Sequence, residues 1–413
     1  MKQLKIGLIG AGERGANCYA PYALKYPQEL LFTCVAEPLE DRRRIFAKAH
    51  NIPEERQYTS WEAMLNEVRD LDAVIVATQD SEHYEPTMKA LSLGHHVLCE
   101  KPMAETYEKS KAMVELAEEK GLLLMVCHVL RYTPFFEELK AVIDSGAIGP
   151  VQAVHHIENI GYWHFGHSYV RGNWRDTKET TPMIVAKCSH DMDILNFLTG
   201  RECERLSSFG SLRYFTPENA PEGAADYCRD CPHNKTCRYS AFLYLTERDK
   251  IPTFRDIILR TEDKAEFQRY LEQTPYSRCV WRCDNDAVDR QTVSMEYDGG
   301  MTVSFTATAF TFDISRRIKI MGTLGELEGR LEDDAFVHRD FTTGSEITHE
   351  VYAPKTQHSG GDERIMAHFC DAVRNPAAHP EVSARLSLAG HAMAFAAEES
   401  RVNGGKVVEM GEF

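Results

Sequence analysis

The first 128 residues alternate short apolar runs with stretches of helical periodicity. The apolar runs cover residues 5–9, 30–36, 72–77, 96–99 and 122–127. Before the last of them, residues 105–120 form an amphipathic stretch with Thr106 as a suitable N-cap and Gly121 at its end. Repeated β-α-β units of this kind predict an α/β domain, residues 1–128, with a doubly wound parallel sheet covered by helices.

The pattern changes beyond Gly149-Pro150. Residues 151–159, 205–215, 292–297, 301–309 and 317–321 resemble longer strands, and Asp298-Gly299-Gly300 has the composition of a hairpin turn between two of them. Helical periodicity returns at residues 362–375 and 383–401. We therefore expect a second, α+β domain over residues 129–413, with a largely antiparallel sheet, helices on one face, and surface insertions at 219–250 and 264–289.

Composition narrows the class of protein. The 413 residues are 43% hydrophobic and 27% charged, as in ordinary globular domains. Lys and Arg number 47 against 63 Asp and Glu, a net charge of -16 that would repel nucleic acid and anionic membranes. No apolar run approaches the roughly 18 residues of a membrane span, and no signal peptide pattern is present. Several of the 12 cysteines lie in apolar strands, which indicates reduced thiols and a cytoplasmic location.

Three glycines follow the first predicted strand, as Gly10-x-Gly12-x-x-Gly15. In a strand-to-helix turn, the first permits the tight turn, the second lets a diphosphate approach the backbone, and the third allows close helix packing. Glu37 ends the second strand, where a carboxylate can accept hydrogen bonds from a ribose 2′-hydroxyl. The pattern predicts a dinucleotide site and favours NAD over NADP. The arginines at 42–44 weaken that preference, although a solvated helix face explains them equally well.

A second group of polar residues follows later strands. Cys99-Glu100-Lys101-Pro102 ends the fourth, and Ala77-Thr78-Gln79-Asp80-Ser81-Glu82-His83 ends an earlier one. Ligands bind at the carboxyl ends of parallel strands, so Lys101 is expected in the cofactor crevice, the alternative being an exposed Lys-Pro turn. Further motifs are Arg131-Tyr132, Gly146-x-x-Gly149-Pro150, Ser189-His190-Asp191-Met192-Asp193, Gly322-x-x-Gly325 and His358-x-Gly360-Gly361-Asp362.

Together these motifs resemble the Gfo/Idh/MocA oxidoreductases, the relatives of glucose-fructose oxidoreductase and inositol dehydrogenase, over nearly the whole chain. The resemblance implies an N-terminal Rossmann domain, a second domain whose sheet walls the substrate cleft, and a homodimer or homotetramer. It also implies NAD-dependent hydride transfer to or from a hydroxyl of a small carbohydrate: a sugar, sugar derivative or cyclitol. The cofactor-binding residues would be Gly10, Gly12, Glu13, Arg14, Gly15, Glu37, Thr78, His83, Glu100 and Lys101.

By the same resemblance, Lys101 and His190 carry the catalysis. A histidine with a pKa near 6.5 can take the hydroxyl proton, and a lysine can hold the alcohol oxygen. Many members have an aspartate four residues before this histidine, but here Ala186 stands there, followed by Lys187. Lys187 either replaces the missing polar group or points to solvent. His190 could instead be a helix-start histidine satisfied by the backbone.

The proposed substrate ligands are Arg131, Tyr132, Trp163, His164, Lys187 and His190. Aromatic residues at 161–167 could stack on sugar rings, or they could pack on the domain core. His164-x-x-His167 has no adjacent acidic partner and is a poor metal site.

The densest group of cysteines is Cys228-x-x-Cys231-Pro232-His233-x-x-x-Cys237. Three thiolates at this spacing could share a structural zinc ion, with His233, Cys279 or Cys283 as fourth ligand. Reduced thiols in an insertion, or an adventitious disulfide, are equally good explanations.

Two rival functions remain open at this point. One is a glycosidase that uses retained NAD to oxidise its substrate transiently, eliminate the aglycone and return the hydride. The other is a non-catalytic NAD-bound sensor, which the loss of aspartate at Ala186 would favour.

Overall fold

The computed structural model describes residues 2–246, 252–354 and 357–413. Its strands are β1 (Leu4–Ile9), β2 (Leu30–Ala36), β3 (Gln57–Tyr58), β4 (Ala73–Val76), β5 (His96–Cys99), β6 (Leu124–Val126), β7 (Val151–Asn159), β8 (Cys203–Ser211), β9 (Arg290–Tyr297), β10 (Met301–Thr308), β11 (Ser315–Gly322), β12 (Gly325–Arg330), β13 (Ala335–Asp340), β14 (Glu346–Glu350) and β15 (Val408–Glu409).

The α-helices are α1 (Pro21–Lys25), α2 (Glu40–Ala49), α3 (Trp61–Glu67), α4 (Tyr84–Ser92), α5 (Tyr107–Lys120), α6 (Pro134–Asp144), α7 (Tyr162–Phe165), α8 (Met183–Ala186), α9 (Ser189–Thr199), α10 (Leu243–Thr246), α11 (Pro252–Ile258), α12 (Lys264–Leu271), α13 (Gly361–Arg374) and α14 (Ala384–Val402). The predicted caps of α5 are confirmed, because the Thr106 side chain accepts from the N–H of Lys109 at 3.2 Å and Gly121 is left-handed at φ 62°.

The first sheet has the order β3-β2-β1-β4-β5-β6, and all its strand pairs are parallel. The reversal of order between β1 and β4 creates the switch point at which doubly wound sheets bind ligands. The second sheet has the order β14-β13-β12-β11-β7-β10-β9-β8-β15 and is antiparallel except for the β7–β10 pair. The predicted fold class is therefore confirmed.

Several elements differ from the sequence expectation. The strand expected over 205–215 ends at Ser211, and β3 and β12–β15 carried no recognised signal. The hairpin turn is confirmed, because Asp298–Gly300 joins β9 to β10, with Gly299 at φ 72°. The two expected insertions, at 219–250 and 264–289, pack together, and we call them the insertion; residues 247–250 lie outside the described ranges. They share a small hydrophobic core of Trp163, Cys228, Ala241, Tyr244, Ile258, Phe267 and Leu271.

Helix α13, near the end of the chain, packs on the first sheet. Ile365, Met366 and Phe369 of α13 share the hydrophobic core of β1 and β2. The chain therefore returns to its N-terminal domain after building the second sheet. This return brings α13 to the glycine turn, where its first residues contribute to the site.

Candidate active site

The glycine turn follows β1 as predicted and leads into a π-helical segment, Glu13–Tyr19. Gly10 has φ 89°, and a Cβ there would lie 2.5 Å from the carbonyl oxygen of Ala77. A Cβ at Gly15 would lie 2.2 Å from the carbonyl oxygen of Gly10. At Gly12 the nearest atom to such a Cβ is Nη1 of Arg42, at 3.8 Å. Packing therefore requires glycine at the first and third positions, whereas the second faces open space.

Glu37 lies beside this turn at the end of β2, buried to 4% exposure. Its carboxylate accepts hydrogen bonds from the N–H of Ala11, at 2.8 Å, and of Leu39, at 3.0 Å. The carboxylate is thus fixed next to the glycine turn, which is where the ribose contact was expected. That contact stays a prediction.

Arg14 and Glu100 form the centre of a buried network. Nε of Arg14 donates to Oε1 of Glu100 at 2.6 Å, and Nη2 donates to Oδ1 of Asp362 at 2.9 Å. Tyr19 donates to the same Glu100 oxygen. Burial alone would raise the pKa of Glu100, but Arg14 and Lys101 hold it below its ordinary value. The network ties the glycine turn to β5 and α13, and it uses the polar groups that were predicted to meet the cofactor.

Three other predicted cofactor ligands also contact protein groups. Nδ1 and Nε2 of His83 lie 2.7 Å from the Pro102 oxygen and 3.2 Å from the Thr78 oxygen, so the ring links the loops after β4 and β5. Oγ1 of Thr78 donates to the carbonyl of Glu82 at 3.0 Å. Glu13 accepts a hydrogen bond from Nη2 of Arg260, at 2.7 Å. Arg260 reaches the glycine turn from the segment that follows α11.

Lys101 points from the end of β5 toward the second domain. Its Nζ donates to the carbonyl oxygen of Ala186 at 2.6 Å. Burial lowers the pKa of Lys101, against the opposing charges of Glu100 and Asp80. Asp80 is buried and accepts from Trp174 Nε1 at 2.9 Å. Asp80 was quoted only as part of a motif, and its position in the loop after β4, at the carboxyl end of a parallel strand, was the signal for a role in the site.

His190 begins α9 and is 7% exposed. Its Nδ1 is buried and has no hydrogen-bond partner within the described residues. Burial lowers the pKa of His190 well below its ordinary value, and the charge of Lys101 lowers it further. Both effects favour the neutral form of the ring. The alternative of a histidine satisfied by the backbone does not fit an unpartnered Nδ1.

Lys187 points inward rather than to solvent, since its side chain is 16% exposed and Nζ lies 3.3 Å from Oε1 of Glu158. Glu158 is fully buried and also lies 2.9 Å from Nη2 of Arg316. Nε of Arg316 donates to Oδ1 of Asp191 at 2.8 Å. Sequence reasoning missed Glu158 and also His156, whose Nε2 lies 2.8 Å from Oδ1 of Asp191. The available signal was that both occupy core-facing positions of β7, where apolar residues are expected.

The other proposed substrate ligands divide into two groups. His164 lies near both lysines, and its pKa is lowered well below the ordinary value by burial and then by Lys187. Arg131 instead forms a bidentate pair with Asp193, at 2.6 and 2.5 Å. Tyr132 packs on His368 and Trp163 on Tyr244, with ring centroids 4.9 and 5.3 Å apart. Arg131 is thus used in an ion pair, and Tyr132 and Trp163 pack on other rings. Contact of these three residues with substrate stays a prediction.

Neither a metal site nor a membrane-spanning helix is found within the described residues. No three His, Cys, Asp or Glu side chains converge closely enough there to hold one metal ion, and this includes Cys228, Cys231 and Cys237. Among the helices within the described ranges, none combines the length and apolar composition needed to cross a membrane. Zinc therefore stays a prediction.

Comparison with known proteins assigns the family. Residues 4–128 match the profile of an oxidoreductase family with an NAD-binding Rossmann fold. Residues 140–410 match the C-terminal alpha/beta domain of the same family. The chain belongs to the Gfo/Idh/MocA family of oxidoreductases.

Curated relatives of this Gfo/Idh/MocA protein match it over part of their length. The putative oxidoreductase YteT of Bacillus subtilis is 27% identical over 261 residues, which cover 62% of this chain and 60% of YteT. The scyllo-inositol 2-dehydrogenase (NADP(+)) IolW of Bacillus subtilis is 28% identical over 191 residues, 46% of this chain and 50% of IolW. The chain thus spans 50 to 60% of the length of these relatives.

Solved structures of the same fold match this family member along its whole length. An inositol dehydrogenase homolog complexed with NAD+ from Azotobacter vinelandii has a TM-score of 0.69 at 16% identity, covering 99% of this chain and 97% of that one. An oxidoreductase from Agrobacterium radiobacter in complex with NAD+, L-tartaric acid and magnesium has a TM-score of 0.71 at 19% identity, covering 100% and 99%. At these identities the likeness concerns the fold alone.

Proposed function

We propose that the protein transfers hydride between NAD and a hydroxyl-bearing carbon of a sugar, sugar derivative or cyclitol. The observation that carries the proposal is the buried Nδ1 of His190, which has no hydrogen-bond partner among the described residues and lies within the electrostatic influence of Lys101. A buried polar atom without a partner costs about 1–3 kcal/mol, so its retention favours a ligand that supplies the partner. A substrate hydroxyl has the required chemistry.

The residues present fit a dinucleotide. Gly12 leaves open space where a diphosphate would approach the backbone, and Glu37 is fixed where a ribose hydroxyl would donate to it. When bound, the nicotinamide accepts or donates the hydride. We favour NAD because the Glu37 carboxylate would repel a 2′-phosphate, although Arg42 near Gly12 and the NADP(+) named for IolW favour the other cofactor.

In the oxidation direction, we assign the proton to His190, whose neutral ring accepts it from the substrate hydroxyl. Lys101 holds the same oxygen with a hydrogen bond and stabilises the charge that develops on it. The Lys101 bond to the Ala186 carbonyl, at 2.6 Å, fixes the ammonium at the end of α8, just before α9 begins. The Lys187–Glu158 pair supplies a further hydrogen-bond donor and acceptor, which suits a polyhydroxylated substrate.

The names of relatives support the substrate class. Besides the inositol dehydrogenase named above, a levoglucosan dehydrogenase from Pseudarthrobacter phenanthrenivorans is 32% identical over 162 residues, which cover 37% of this chain and 40% of that protein. A homodimer or homotetramer and a cytoplasmic location stay predictions from the sequence.

A second candidate function is a reaction in which retained NAD returns its hydride, with no net oxidation. The observation that favours it is a relative named 2,7-anhydro-N-acetylneuraminate hydratase, from Mediterraneibacter gnavus, 32% identical over 141 residues, which cover 34% of this chain and 37% of that protein. The glycosidase with retained NAD, which the sequence leaves open as a rival function, belongs to this class.

The test combines a substrate panel with two variants. Purified protein is incubated with sugars, cyclitols and glycosides, with and without added NAD, and NADH and organic products are measured. We expect NADH formation that depends on substrate, and a loss of about 10²–10⁴ in kcat for Lys101→Met and His190→Ala. Lys120→Met, an exposed lysine at the end of α5, is the control and should keep full activity.

The outcomes separate the candidates. Product without net NADH would overturn the dehydrogenase and support the second candidate. Turnover that is unchanged in both variants would show that the assigned catalytic residues are wrong. If no panel member reacts although NAD binds tightly, the non-catalytic sensor becomes the better explanation.

A further inference from the structure

The insertion contains a small cavity. Four cysteines line it, Cys228, Cys231, Cys237 and Cys279, and we call them the four-cysteine cluster. Backbone pairing brings the distant member to the others: Tyr227 and Arg278 form an antiparallel bridge, and the N–H of Cys279 donates to Asp226 at 2.8 Å. Residues about fifty positions apart in the chain are thereby placed around one space.

A buried cation faces this cavity. Arg171 is 2% exposed and donates to Sγ of Cys228 at 3.6 Å, to the Tyr239 carbonyl at 2.7 Å and to the Arg278 carbonyl at 2.7 Å. Within the described ranges it forms no ion pair with a carboxylate. A buried charge without a counter-charge is strongly unfavourable, so this guanidinium indicates an anionic group at the cysteines.

The sulfur atoms also receive hydrogen bonds from the backbone. The N–H of Ala241 lies 3.4 Å from Sγ of Cys228, and the N–H of Tyr239 lies 3.4 Å from Sγ of Cys237. Such donors stabilise thiolates, as in metal-bound cysteine sites.

The contacts also decide among the candidate fourth ligands. His233 also borders the cavity, but its Nε2 faces the carbonyl oxygen of Glu222, at 2.7 Å. Cys283 donates to the carbonyl of Cys279 at 3.3 Å and is absent from the cavity lining. Cys279 lines the cavity, which leaves it as the fourth thiol.

We propose that the four-cysteine cluster binds one metal–thiolate centre, with net negative charge, that pairs with Arg171. Four thiolates suit either a single Zn²⁺, with Zn–S bonds of about 2.3 Å, or an iron–sulfur cluster of the [4Fe–4S] type. Zinc requires the sulfurs to close in, because no three of them now converge on one point. A cluster uses the same thiolates at wider separation.

The centre would hold the insertion in shape next to the active site. The small core that contains Cys228 also contains Trp163 and Tyr244, and Nδ1 of His167 lies 2.6 Å from the Tyr244 hydroxyl. Metal binding would thus fix the segment that carries His164, without taking part in hydride transfer.

The test measures zinc, iron and acid-labile sulfide in the full-length protein, purified without oxygen and with reducing agent. We expect either about one zinc or about four irons with matching sulfide per chain, which distinguishes the two occupants. Cys231→Ser and Cys279→Ser should lose most of the metal, whereas Cys283→Ser and the distant Cys203→Ser should retain it.

Two further results make the test decisive if the serine variants do not fold. Removal of metal from the wild-type protein by a chelator should lower its melting temperature, and adding back zinc, or ferrous iron with sulfide, should restore it. A wild-type protein that holds neither metal after both additions would overturn the proposal. So would retention of metal by Cys279→Ser together with its loss from Cys283→Ser.

Discussion

Gly12→Ala separates a cofactor role from a structural one at the glycine turn. Gly12 has φ -79° and ψ -158°, which alanine adopts without strain. The added Cβ would meet only Nη1 of Arg42, at 3.8 Å. We therefore expect the free energy of unfolding to stay the same or rise by about 0.4–1 kcal/mol, because alanine restricts the unfolded chain.

NAD binding should respond in the opposite direction. If the diphosphate approaches the backbone at Gly12, the methyl group displaces it and removes at least one hydrogen bond to a charged group. Such a bond contributes about 1.5–3 kcal/mol. The dissociation constant for NAD should then rise about 10- to 150-fold.

Calorimetric titration with NAD and urea unfolding measure the two quantities. Gly411→Ala is the control, since a Cβ there meets no atom within 4 Å and Gly411 lies outside the site. Gly15→Ala is the contrasting variant and should unfold more easily, because its Cβ would lie 2.2 Å from the Gly10 oxygen. An unchanged dissociation constant in a stable Gly12→Ala protein would refute the reasoning, as would a marked loss of its stability.

Two other predictions concern stability. Arg131→Leu leaves the buried Asp193 without its arginine and should lower the free energy of unfolding, measured in urea, by about 3–5 kcal/mol. Arg205→Leu, the control, breaks an exposed pair and should lower it by no more than about 1 kcal/mol. Equal losses in the two variants would contradict the role of the buried pair. Burial lowers the pKa of His391 to about 4, and its Nε2 accepts a hydrogen bond from the N–H of Met103. As pH falls from 6.5 to about 4, His391 therefore binds a proton in the unfolded chain but not in the folded protein. Stability should fall in that window by up to about 1.4 kcal/mol per pH unit from this group alone, and His391→Gln should flatten the slope measured by urea unfolding at several pH values; an unaltered slope would show that His391 does not cause it.

The sequence predicted best where local pattern and fold agree. The parallel strands of the first domain, the caps of α5 and the hairpin at Gly299 depend on neighbours in the chain, so periodicity and turn residues were sufficient. The short β3 and the strands β12–β15, which lie toward the two ends of the second sheet, form through pairing with partners already in place, and their own sequences carry a weak signal.

The site was predictable in its residue types more than in its contacts. Lys101 and His190 were selected by motif; the charge of Lys101 reaches His190 in the structure, and their catalytic roles stay a prediction. The motif did not reveal that Arg131 is used by Asp193, or that the Glu158 carboxylate meets Lys187 inside the protein. Both pairs join residues of different elements, and a buried charge acquires its partner only when those elements pack.

By itself, the sequence determined the two-part architecture and the glycine turn after the first strand, because strand alternation and backbone freedom are local properties of the chain. Only the tertiary structure decided that Lys101 meets the carbonyl of Ala186, that Lys187 turns inward, and that Cys279 joins the other three cysteines. These contacts span from about thirty to eighty-five positions of chain, and they depend on which surfaces pack together when each domain buries its apolar face.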